Sequence, residues 1–533
     1  MLVYGDHCDV ADPRERLFDL SRRLGVVGSR RAGLDRHAVV ANALIEGGRL
    51  LQGVADSGVP PGKLDDWLHQ LARCLVRSCD SAMAQLGPLP AVPDIDVPER
   101  VDLRLPEGFA FYAVYPEAYV AAARRLHLVG PPRVIGIRSI GTTLGAVVAA
   151  TLDAPQTTSV RPFGDPFARQ VDLPTDIIDN RSHYIIVDEG PGLSGSSFGA
   201  VADWLEAHGV ELHRIAFLPS HAGDLGPRAS ERHRQRWHIA QRVAAEFNPG
   251  FLVERFGPLH HLSHGSPWEK LKYRTRGKHD RLLLKFAGLG AIGERKLVMA
   301  RALADLGMAP EVIALVHGFL VQRWYDSGTK LGAREKPVGE IGRYIGARAR
   351  LFPDRDGSGA SIAELLTMCR RNIGVAMAGR DAVSIPNFDT AALQSCVQRM
   401  RTDNKMDREE WLRLPNGRLL KCDALDHHQD HDLIGCQDPA WDVAGAIVEF
   451  DLDHAETAAM VAAAEVRIDW RLLGFYRLAY AAFRLGRACL GTHMIEPDGS
   501  HARMNTAGER YARFINDLLL PAGGSDSALA QVD

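Results

Sequence analysis

The sequence predicts a multidomain protein of mixed α/β and α+β class, with a helical N-terminal region, a parallel sheet and a second unit that is mainly helical. The first observation is length, because 533 residues exceed the roughly 150 of one domain and indicate three to four. The second is that strand-like and helix-like runs alternate in the middle of the chain. The third is a change of pattern after Gly250, where a short stretch rich in Gly, His and Ser precedes new strands and helices.

The N-terminal region has leucine and valine at helical spacing from Pro13 to about Leu86, which predicts helices. Four prolines between Gly87 and Arg100 cannot continue a helix and mark a boundary. Together with the change after Gly250, this boundary divides the chain into four predicted ranges. These are a helical region at 1–100, a parallel-sheet domain at 101–248, a second domain at 249–520 and a flexible tail at 521–533.

Between residues 101 and 248, apolar runs of strand length alternate with helical runs, which is typical of a parallel sheet with crossover helices. After Gly250 the pattern predicts two strands around a helix and then a long, mainly helical remainder. The predicted strands are 109–114, 133–137, 184–187, 215–218, 282–286 and 312–315. The predicted helices in these two segments include 116–126, 143–152, 197–207 and 292–306.

The composition is that of an ordinary globular protein. Hydrophobic residues make up 46% and charged residues 24%, which argues against disordered, collagen-like and coiled-coil chains. Lys and Arg total 63 against 66 Asp and Glu, so no basic excess indicates a nucleic-acid partner.

No run reaches the roughly 20 apolar residues of a membrane helix, and residues 1–16 are too acidic for a signal peptide. The 8 cysteines are mostly isolated, which fits a reducing compartment. We therefore expect a cytoplasmic protein without a membrane partner, and its oligomeric state stays open.

The run from Tyr184 to Ser197 joins a buried strand to a helix through an acidic pair and a Gly/Ser loop. Asp188 and Glu189 end the strand, where they can accept hydrogen bonds from a sugar diol and offset positive charge at a ribose carbon. The backbone N–H groups of a glycine-rich turn before a helix suit a phosphate. The loop residues predicted to contact the phosphate are Gly192, Ser194, Gly195, Ser196 and Ser197, and the three serines can add hydroxyl donors.

This segment resembles the motif of type I phosphoribosyltransferases that binds 5-phosphoribosyl 1-pyrophosphate (PRPP), in which an apolar strand leads into an acidic pair and a Thr/Ser-Gly loop. The earlier run 134–144, with Arg138 and Ser139 after a strand, resembles that family's pyrophosphate loop. The resemblance covers about residues 100–240 and implies Mg²⁺-dependent displacement at ribose C1. Four residues separate Glu189 from Ser194, one more than the family pattern. The basic residue over the pyrophosphate stays open among Arg138, Arg161 and Arg169.

A lysine inside an apolar run marks a second candidate site. Lys285 lies in the strand 281–286, where an unpaired ammonium would be costly, so it needs a partner. Glu294, nine residues on, begins a helix and is close enough in the chain to pair with Lys285 while that lysine meets nucleotide phosphates.

The segments that follow resemble parts of aminoglycoside phosphotransferase and choline kinase-like proteins. Residues 306–312 and 318–324 resemble the hinge between the two lobes, and 438–444 resembles the Gly-Asp-Pro-x-x-Asp segment that braces the catalytic loop. The resemblance spans about residues 250–515. It implies a bilobal, protein-kinase-like domain that uses ATP and Mg²⁺ and acts on the hydroxyl group of a small molecule.

The hairpin 411–423 resembles the strand-turn-strand that ends at the metal-binding Asp of that family. The resemblance implies Asp423 as a metal ligand and puts Glu410 where the family has Asn. The chain has no His-Gly-Asp-x-x-x-x-Asn sequence, so the catalytic carboxylate stays open between Asp403 and Asp407. Counting back from the 438–444 segment selects Asp430 as the alternative metal ligand.

The segment 422–436 also concentrates Cys, His and Asp. Its spacing, Cys-x4-His-His-x2-His-x4-Cys, is not a common structural zinc pattern, so we expect Mg²⁺ at the aspartates instead.

The predicted function is a bifunctional transferase that combines PRPP chemistry with phosphorylation of a small-molecule hydroxyl by ATP. The alternatives are a non-catalytic regulatory protein that senses PRPP or nucleotide with both folds, and a zinc-dependent hydrolase.

Overall fold

The computed structural model describes residues 8–60, 62–155, 157–192, 194–263, 269–277, 281–354, 358–377, 385–425, 434–494 and 499–519. None of the helices in these ranges combines the length and apolar character that crossing a bilayer requires.

The N-terminal region is helical, as predicted. Asp12 begins its first helix by accepting a hydrogen bond from the Arg14 N–H at 2.8 Å, and Pro13 occupies the first turn. A short antiparallel strand pair closes the region, joining residue 8 to residue 104. The elements are β1 (Cys8–Ala11), α1 (Pro13–Gly25), α2 (Leu34–Asp56), α3 (Gly62–Asp80) and β2 (Val101–Arg104).

The middle of the chain forms a five-stranded parallel sheet in the order β4-β3-β7-β8-β9. Its strands and helices lie close to their predicted bounds, and β8 matches the prediction. The elements are α4 (Glu107–Ala110), α5 (Pro116–Ala123), β3 (Pro132–Ile137), α6 (Ile140–Thr151), β4 (Thr157–Val160), β5 (Phe163–Asp165), β6 (Ala168–Gln170), β7 (His183–Val187), α7 (Ser196–Ala207), β8 (Ile215–Leu218), α8 (Glu231–Ile239), β9 (Gln241–Arg242) and α9 (Gly250–Phe256).

The prediction of a strand at 109–114 is wrong. The segment is the short helix α4 followed by a turn, in which Ala113 takes a left-handed conformation with φ +52°. Phe109 and Phe111 are both buried, and a short apolar run of this kind cannot be assigned to strand or helix by periodicity alone.

The chain from β10 onward forms what we call the C-terminal unit. It opens with a five-stranded antiparallel sheet in the order β10-β11-β12-β14-β13. The predicted strand 282–286 matches β12, while 318–324, predicted as part of a hinge, is mostly the strand β14 that pairs with β12. The elements are β10 (Leu259–Leu262), β11 (Lys272–Thr275), β12 (Leu282–Phe286), α10 (Gly290–Asp305), β13 (Val312–Val316) and β14 (Phe319–Arg323).

The rest of the C-terminal unit is mainly helical and contains one small three-stranded sheet, β15-β16-β17. The predicted hairpin is present as β16 and β17, paired from Trp411 to Lys421. The elements are β15 (Thr329–Lys330), α11 (Val338–Leu351), α12 (Ile362–Ala376), α13 (Thr390–Cys396), β16 (Trp411–Arg413), β17 (Leu419–Lys421), α14 (Pro439–Phe450), α15 (His454–Ala464), α16 (Trp470–Met494) and α17 (Gly499–Leu519).

Two large apolar cores organise the described chain. One lies among the helices of the C-terminal unit and includes Trp441 and Tyr476. The other is continuous from Leu44 of α2 through Val148 of α6 to Phe319 of β14. The N-terminal helices, the parallel sheet and the antiparallel sheet therefore pack on one another, while the boundaries at residues 100 and 248 stay predictions.

Candidate functional site

An ion pair joins the antiparallel sheet of the C-terminal unit to its hairpin. Leu284 and Phe286 are buried on one face of β12, so Lys285 between them points to the opposite face. Its Nζ lies 2.6 Å from Oδ1 of Asp423, two residues after the end of β17, and only 6% of the lysine side chain is exposed. We call these two residues the lysine–aspartate pair.

Glu294, predicted as the partner of Lys285, pairs elsewhere. It lies in the second turn of α10, and its Oε1 accepts a hydrogen bond from Nη1 of Arg23 in α1 at 2.7 Å. The expected pairing was wrong because chain proximity does not fix the direction of a side chain, and α1 brings a guanidinium to this face of α10.

Asp442 of α14 braces the loop that leads into the hairpin. Its two carboxylate oxygens accept hydrogen bonds from the backbone N–H groups of Asp403 at 2.8 Å and Asn404 at 2.9 Å. Asn404 is left-handed, with φ +63°, and the braced turn depends on that conformation. Burial, together with the charge of Asp403, raises the pKa of Asp442 to about 6. The 438–444 segment thus contacts the loop that its resemblance implied.

The two candidate catalytic carboxylates have different surroundings. The Asp403 side chain is 0% exposed and contacts Nζ of Lys421 at 3.1 Å and the hydroxyl of Tyr344. The Asp407 side chain is 23% exposed and pairs with Lys405 at 3.1 Å and Arg484 at 2.7 Å. Burial alone would raise the pKa of Asp407, but the two cations hold it well below its usual range.

Glu410, the candidate metal ligand, lies between two lysines. Its Oε2 is 2.7 Å from Nζ of Lys421, and its Oε1 contacts Nζ of Lys405. Lys421 has no exposed side-chain surface, and it also donates to the backbone oxygen of Asp423 at 2.6 Å. Burial disfavours its charge, but Asp403 and Glu410 raise the pKa of Lys421, so the site is a compact network of alternating charges.

A second group of candidate residues lies at the carboxyl ends of two neighbouring parallel strands. Arg138 and Ser139 follow β3, Asp188 and Glu189 follow β7, and the two strands pair directly. The chain passes from β3 to β4 on one side and returns to β7 on the other, and ligands of such sheets bind at this reversal point. Burial raises the pKa of Asp188 well above its usual value.

The Gly/Ser loop has its hydroxyl groups turned into the protein. Ser196 Oγ donates to the backbone oxygen of Pro166 at 2.7 Å, and Ser194 Oγ donates to Ser196 Oγ at 3.0 Å. Both serines are buried, and Ser197 is half-buried. Gly192 and Gly195 are left-handed, with φ +64° and +60°, so the loop needs glycine there. The expectation that Ser194 and Ser196 present their hydroxyls to a phosphate is wrong in this conformation.

Asp56, which the sequence did not single out, holds two of the three candidate arginines. From the last turn of α2, its Oδ1 lies 3.0 Å from Nη1 of Arg138 and its Oδ2 lies 2.5 Å from Nη2 of Arg161. Burial would raise the pKa of Asp56, but the arginines lower it. Arg169 instead donates to the backbone oxygen of Gly164, within the β5–β6 hairpin, at 3.0 Å.

Solved structures of small-molecule kinases resemble about half of this chain. Choline kinase LicA from Streptococcus pneumoniae is 15% identical with a TM-score of 0.33, over 50% of this chain and 98% of that chain. A choline/ethanolamine kinase family protein from Mesorhizobium loti is 18% identical with a TM-score of 0.31, over 50% and 94%. Spectinomycin phosphotransferase APH(9)-Ia, in complex with ADP and spectinomycin, is 11% identical with a TM-score of 0.30, over 51% and 93%.

No protein-family model matches the chain. No curated protein matches it either. Nothing in these comparisons supports a phosphoribosyltransferase.

Sequence reasoning missed Lys405. In the kinase pattern H-R-D-x-x-x-x-N the catalytic Asp stands five residues before the Asn, so placing Glu410 at the Asn position puts Lys405 at the Asp position. That spacing was available in the sequence, whereas the contacts of Lys405 with Asp407 and Glu410 required the structure.

Two of the sequence hypotheses fall on residues that the structure leaves undescribed. Asp430 and the histidines of the 422–436 segment lie outside the described residues. Cys422 and Cys436, which flank them, are described, and burial raises the pKa of both thiols to about 11.

Proposed function

We propose that the C-terminal unit binds ATP with Mg²⁺ and transfers the γ-phosphoryl group to a hydroxyl group of a small molecule. The observation that carries this proposal is the lysine–aspartate pair, which links a sheet lysine to a carboxylate at the end of a hairpin across 2.6 Å. Kinase-type sites use a strand lysine against nucleotide phosphates and an aspartate on the metal. The pair provides both groups at one place.

The side chains fit Mg²⁺. This ion takes one or two protein carboxylates and completes its oxygen ligands with phosphates and water. Asp423 is partly exposed and supplies the first carboxylate, while Glu410 has to release one of its lysines to supply a second. When bound, Mg²⁺ would neutralise the charge of the phosphates. Lys285 would then bind the nucleotide phosphates and no longer pair with Asp423.

Asp407 is the better candidate to orient the acceptor hydroxyl. Asp403 has no exposed side-chain surface and is enclosed by Tyr344 and Lys421, so a substrate cannot reach it without displacing them. Asp407 is partly exposed, and its lowered pKa keeps it ionised at neutral pH. Phosphoryl transfer depends mainly on positioning and charge stabilisation, so a weakly basic carboxylate suffices.

The test is incubation of the full-length protein with ATP, Mg²⁺ and a panel of small hydroxyl compounds. We expect acceptor-dependent release of ADP and a phosphorylated product. Lys285→Met and Asp423→Asn should each lower kcat by about 100- to 1,000-fold. Lys330→Met, an exposed lysine of the neighbouring small sheet, serves as the matched control and should retain activity. Intact ATP binding without acceptor-dependent ADP release contradicts the transferase.

A nucleotide sensor without turnover is the second candidate, and Lys405 specifically favours it. An ammonium at the catalytic Asp position, paired with Asp407 and Glu410, occupies the place where a kinase needs a carboxylate. On this alternative, calorimetry detects ATP binding that Lys285→Met abolishes, and neither the parent protein nor Asp407→Asn releases ADP. Release of ADP that depends on Asp407 excludes it.

For the parallel sheet, the proposed ligand is PRPP or a related sugar phosphate, which would make the protein a bifunctional transferase. The support is that Arg138 and the acidic pair Asp188 and Glu189 follow neighbouring strands at the reversal point of the sheet. Calorimetry with PRPP and Mg²⁺ tests it, because the double variant Asp188→Ala and Glu189→Ala should abolish binding. Asp172→Asn, an exposed carboxylate of the same segment, is the control. Unchanged binding of PRPP by the double variant contradicts the assignment of this site.

A further inference from the structure

Two histidines and a glutamate meet where the N-terminal helices, the parallel-sheet region and the C-terminal unit contact one another. Nε2 of His37 in α2 lies 2.6 Å from Oε1 of Glu117 in α5. Nε2 of His317, in the turn between β13 and β14, lies 2.9 Å from the same oxygen. We call these three residues the histidine–glutamate cluster. Neither proposed site uses it.

The cluster is enclosed, and one of its ligands is already oriented. Both histidines are buried, and their rings are edge-on with centroids 5.7 Å apart. Nδ1 of His37 lies 2.8 Å from Oγ of Ser78. When a metal binds Nε2, the Nδ1–H of His37 can donate to Oγ of Ser78, and this hydrogen bond holds the ring in position for the metal.

The polar atoms of the cluster are incompletely satisfied by hydrogen bonds. Within the described part of the chain, Oε2 of Glu117 and Nδ1 of His317 are buried without a hydrogen-bond partner. Two imidazoles and one carboxylate, with ligand atoms all within 4.8 Å of one another, form a complete three-residue donor set.

We propose that His37, Glu117 and His317 bind a zinc ion. This set of two His and one Glu is one that zinc accepts, with water at the fourth position. Ligand atoms about 2.0–2.1 Å from zinc are about 3.3 Å apart in a tetrahedron, so the side chains would separate by a few tenths of an ångström. The ion would cross-link α2, α5 and the β13–β14 turn.

Zinc titration of the chelator-treated, full-length protein against a chromophoric competitor tests the proposal. We expect one zinc ion per chain at this site, lost in both His37→Ala and His317→Ala. His69→Ala, a buried histidine of α3 outside the cluster, is the matched control. Because the 422–436 segment is another candidate for zinc, the titration is repeated with Cys422→Ser and Cys436→Ser, which should leave this zinc in place.

A milder variant keeps the proposal testable if the histidine variants fail to fold. Ser78→Ala removes only the hydrogen bond to Nδ1 of His37 and should weaken zinc binding by about 10- to 100-fold. Ser81→Ala is the control, because the Ser81 hydroxyl donates to backbone oxygens on the same helix end. Absence of zinc binding in the parent protein overturns the site and leaves a hydrogen-bonded cluster. Equal affinities for Ser78→Ala and Ser81→Ala also contradict it.

Discussion

Lys421 has no exposed side-chain surface, yet it is charged and lies at the centre of the C-terminal site. Its ammonium is within hydrogen-bond distance of Asp403 and Glu410 and of backbone oxygens at 405 and 423. A buried cation of this kind stabilises only while its partners are present, and removing it leaves carboxylates without compensation. Lys421 therefore holds the loop and the hairpin of the site together.

Lys421→Met should lower the free energy of unfolding by about 3–5 kcal/mol, because Asp403 and Glu410 stay buried without their common cation. The measurement is urea unfolding. Lys330→Met removes an exposed lysine whose nearest carboxylate is 3.6 Å away, and it should change stability by less than about 0.5 kcal/mol. Equal effects of the two substitutions would contradict the structural role of Lys421.

Asp442 makes a contribution to the stability of the protein that decreases as the pH rises. Its pKa rises on folding from an ordinary value near 3.8 to about 6, so between these values the folded state binds more protons than the unfolded state. Its contribution to the free energy of unfolding is therefore present below pH 4 and is lost as the pH rises through about 6.

Asp442→Asn removes that titration, so the variant should show a shallower loss of stability, or a steeper gain, between pH 4 and pH 6 than the parent. It should also be less stable throughout, because the amide NH2 that replaces one carboxylate oxygen cannot accept the N–H group bound there. Urea midpoints at half-unit pH steps provide the comparison. Parallel pH profiles of variant and parent would refute the raised pKa.

At the scale of elements, α2 contacts both the parallel-sheet site and the C-terminal unit. Its last turn carries Asp56, which holds Arg138 and Arg161. About three and four turns nearer its start, Glu46 and Asn42 accept hydrogen bonds from the first N–H groups of α10, at Ala291 and Gly290, both at 2.9 Å. One helix thus caps an element of the C-terminal unit and contacts the arginines of the parallel sheet.

Asp56→Asn should strengthen binding of inorganic pyrophosphate at the sheet by about tenfold, or 1.4 kcal/mol, because an anion no longer competes with a carboxylate for two guanidinium groups. This expectation rests on the proposed sugar-phosphate site. Calorimetry measures the affinity, and Asp19→Asn, an exposed carboxylate of α1, is the control. Unchanged or weaker binding would show that Asp56 does not compete with the ligand.

At the scale of the whole molecule, an aromatic cluster joins the parallel-sheet region to the C-terminal unit. Tyr115 lies 5.0 Å from Phe247 between ring centroids, Phe247 lies 5.7 Å from Phe319, and Phe319 lies 5.5 Å from Phe286. These rings belong to a core that also contains α2. The helices of the C-terminal unit have a separate core, and a third core includes Tyr184 and Phe217 of the parallel sheet.

Phe319→Ala should cost about 3–5 kcal/mol and increase hydrogen exchange throughout the shared core, including α2. The matched variant Phe475→Ala removes an equally buried ring from the other core and should increase exchange among the C-terminal helices instead. Hydrogen exchange followed by mass spectrometry distinguishes them. A response of Phe319→Ala confined to the antiparallel sheet would contradict a shared core.

The sequence alone determined the local elements of this protein, because apolar spacing and turn residues act over a few positions. It located β8 and β12 at their bounds and the hairpin 411–423, and it required a partner for Lys285. The strand predicted at 109–114 failed because a short apolar run carries no distinctive period.

The tertiary structure decided which side chains meet. Lys285 pairs with Asp423, 138 residues away, and Glu294 pairs with Arg23, 271 residues away. It also joined Asp56 to the arginines and assembled the histidine–glutamate cluster from three distant segments. Such contacts depend on how elements pack, and no local pattern in the sequence records that packing.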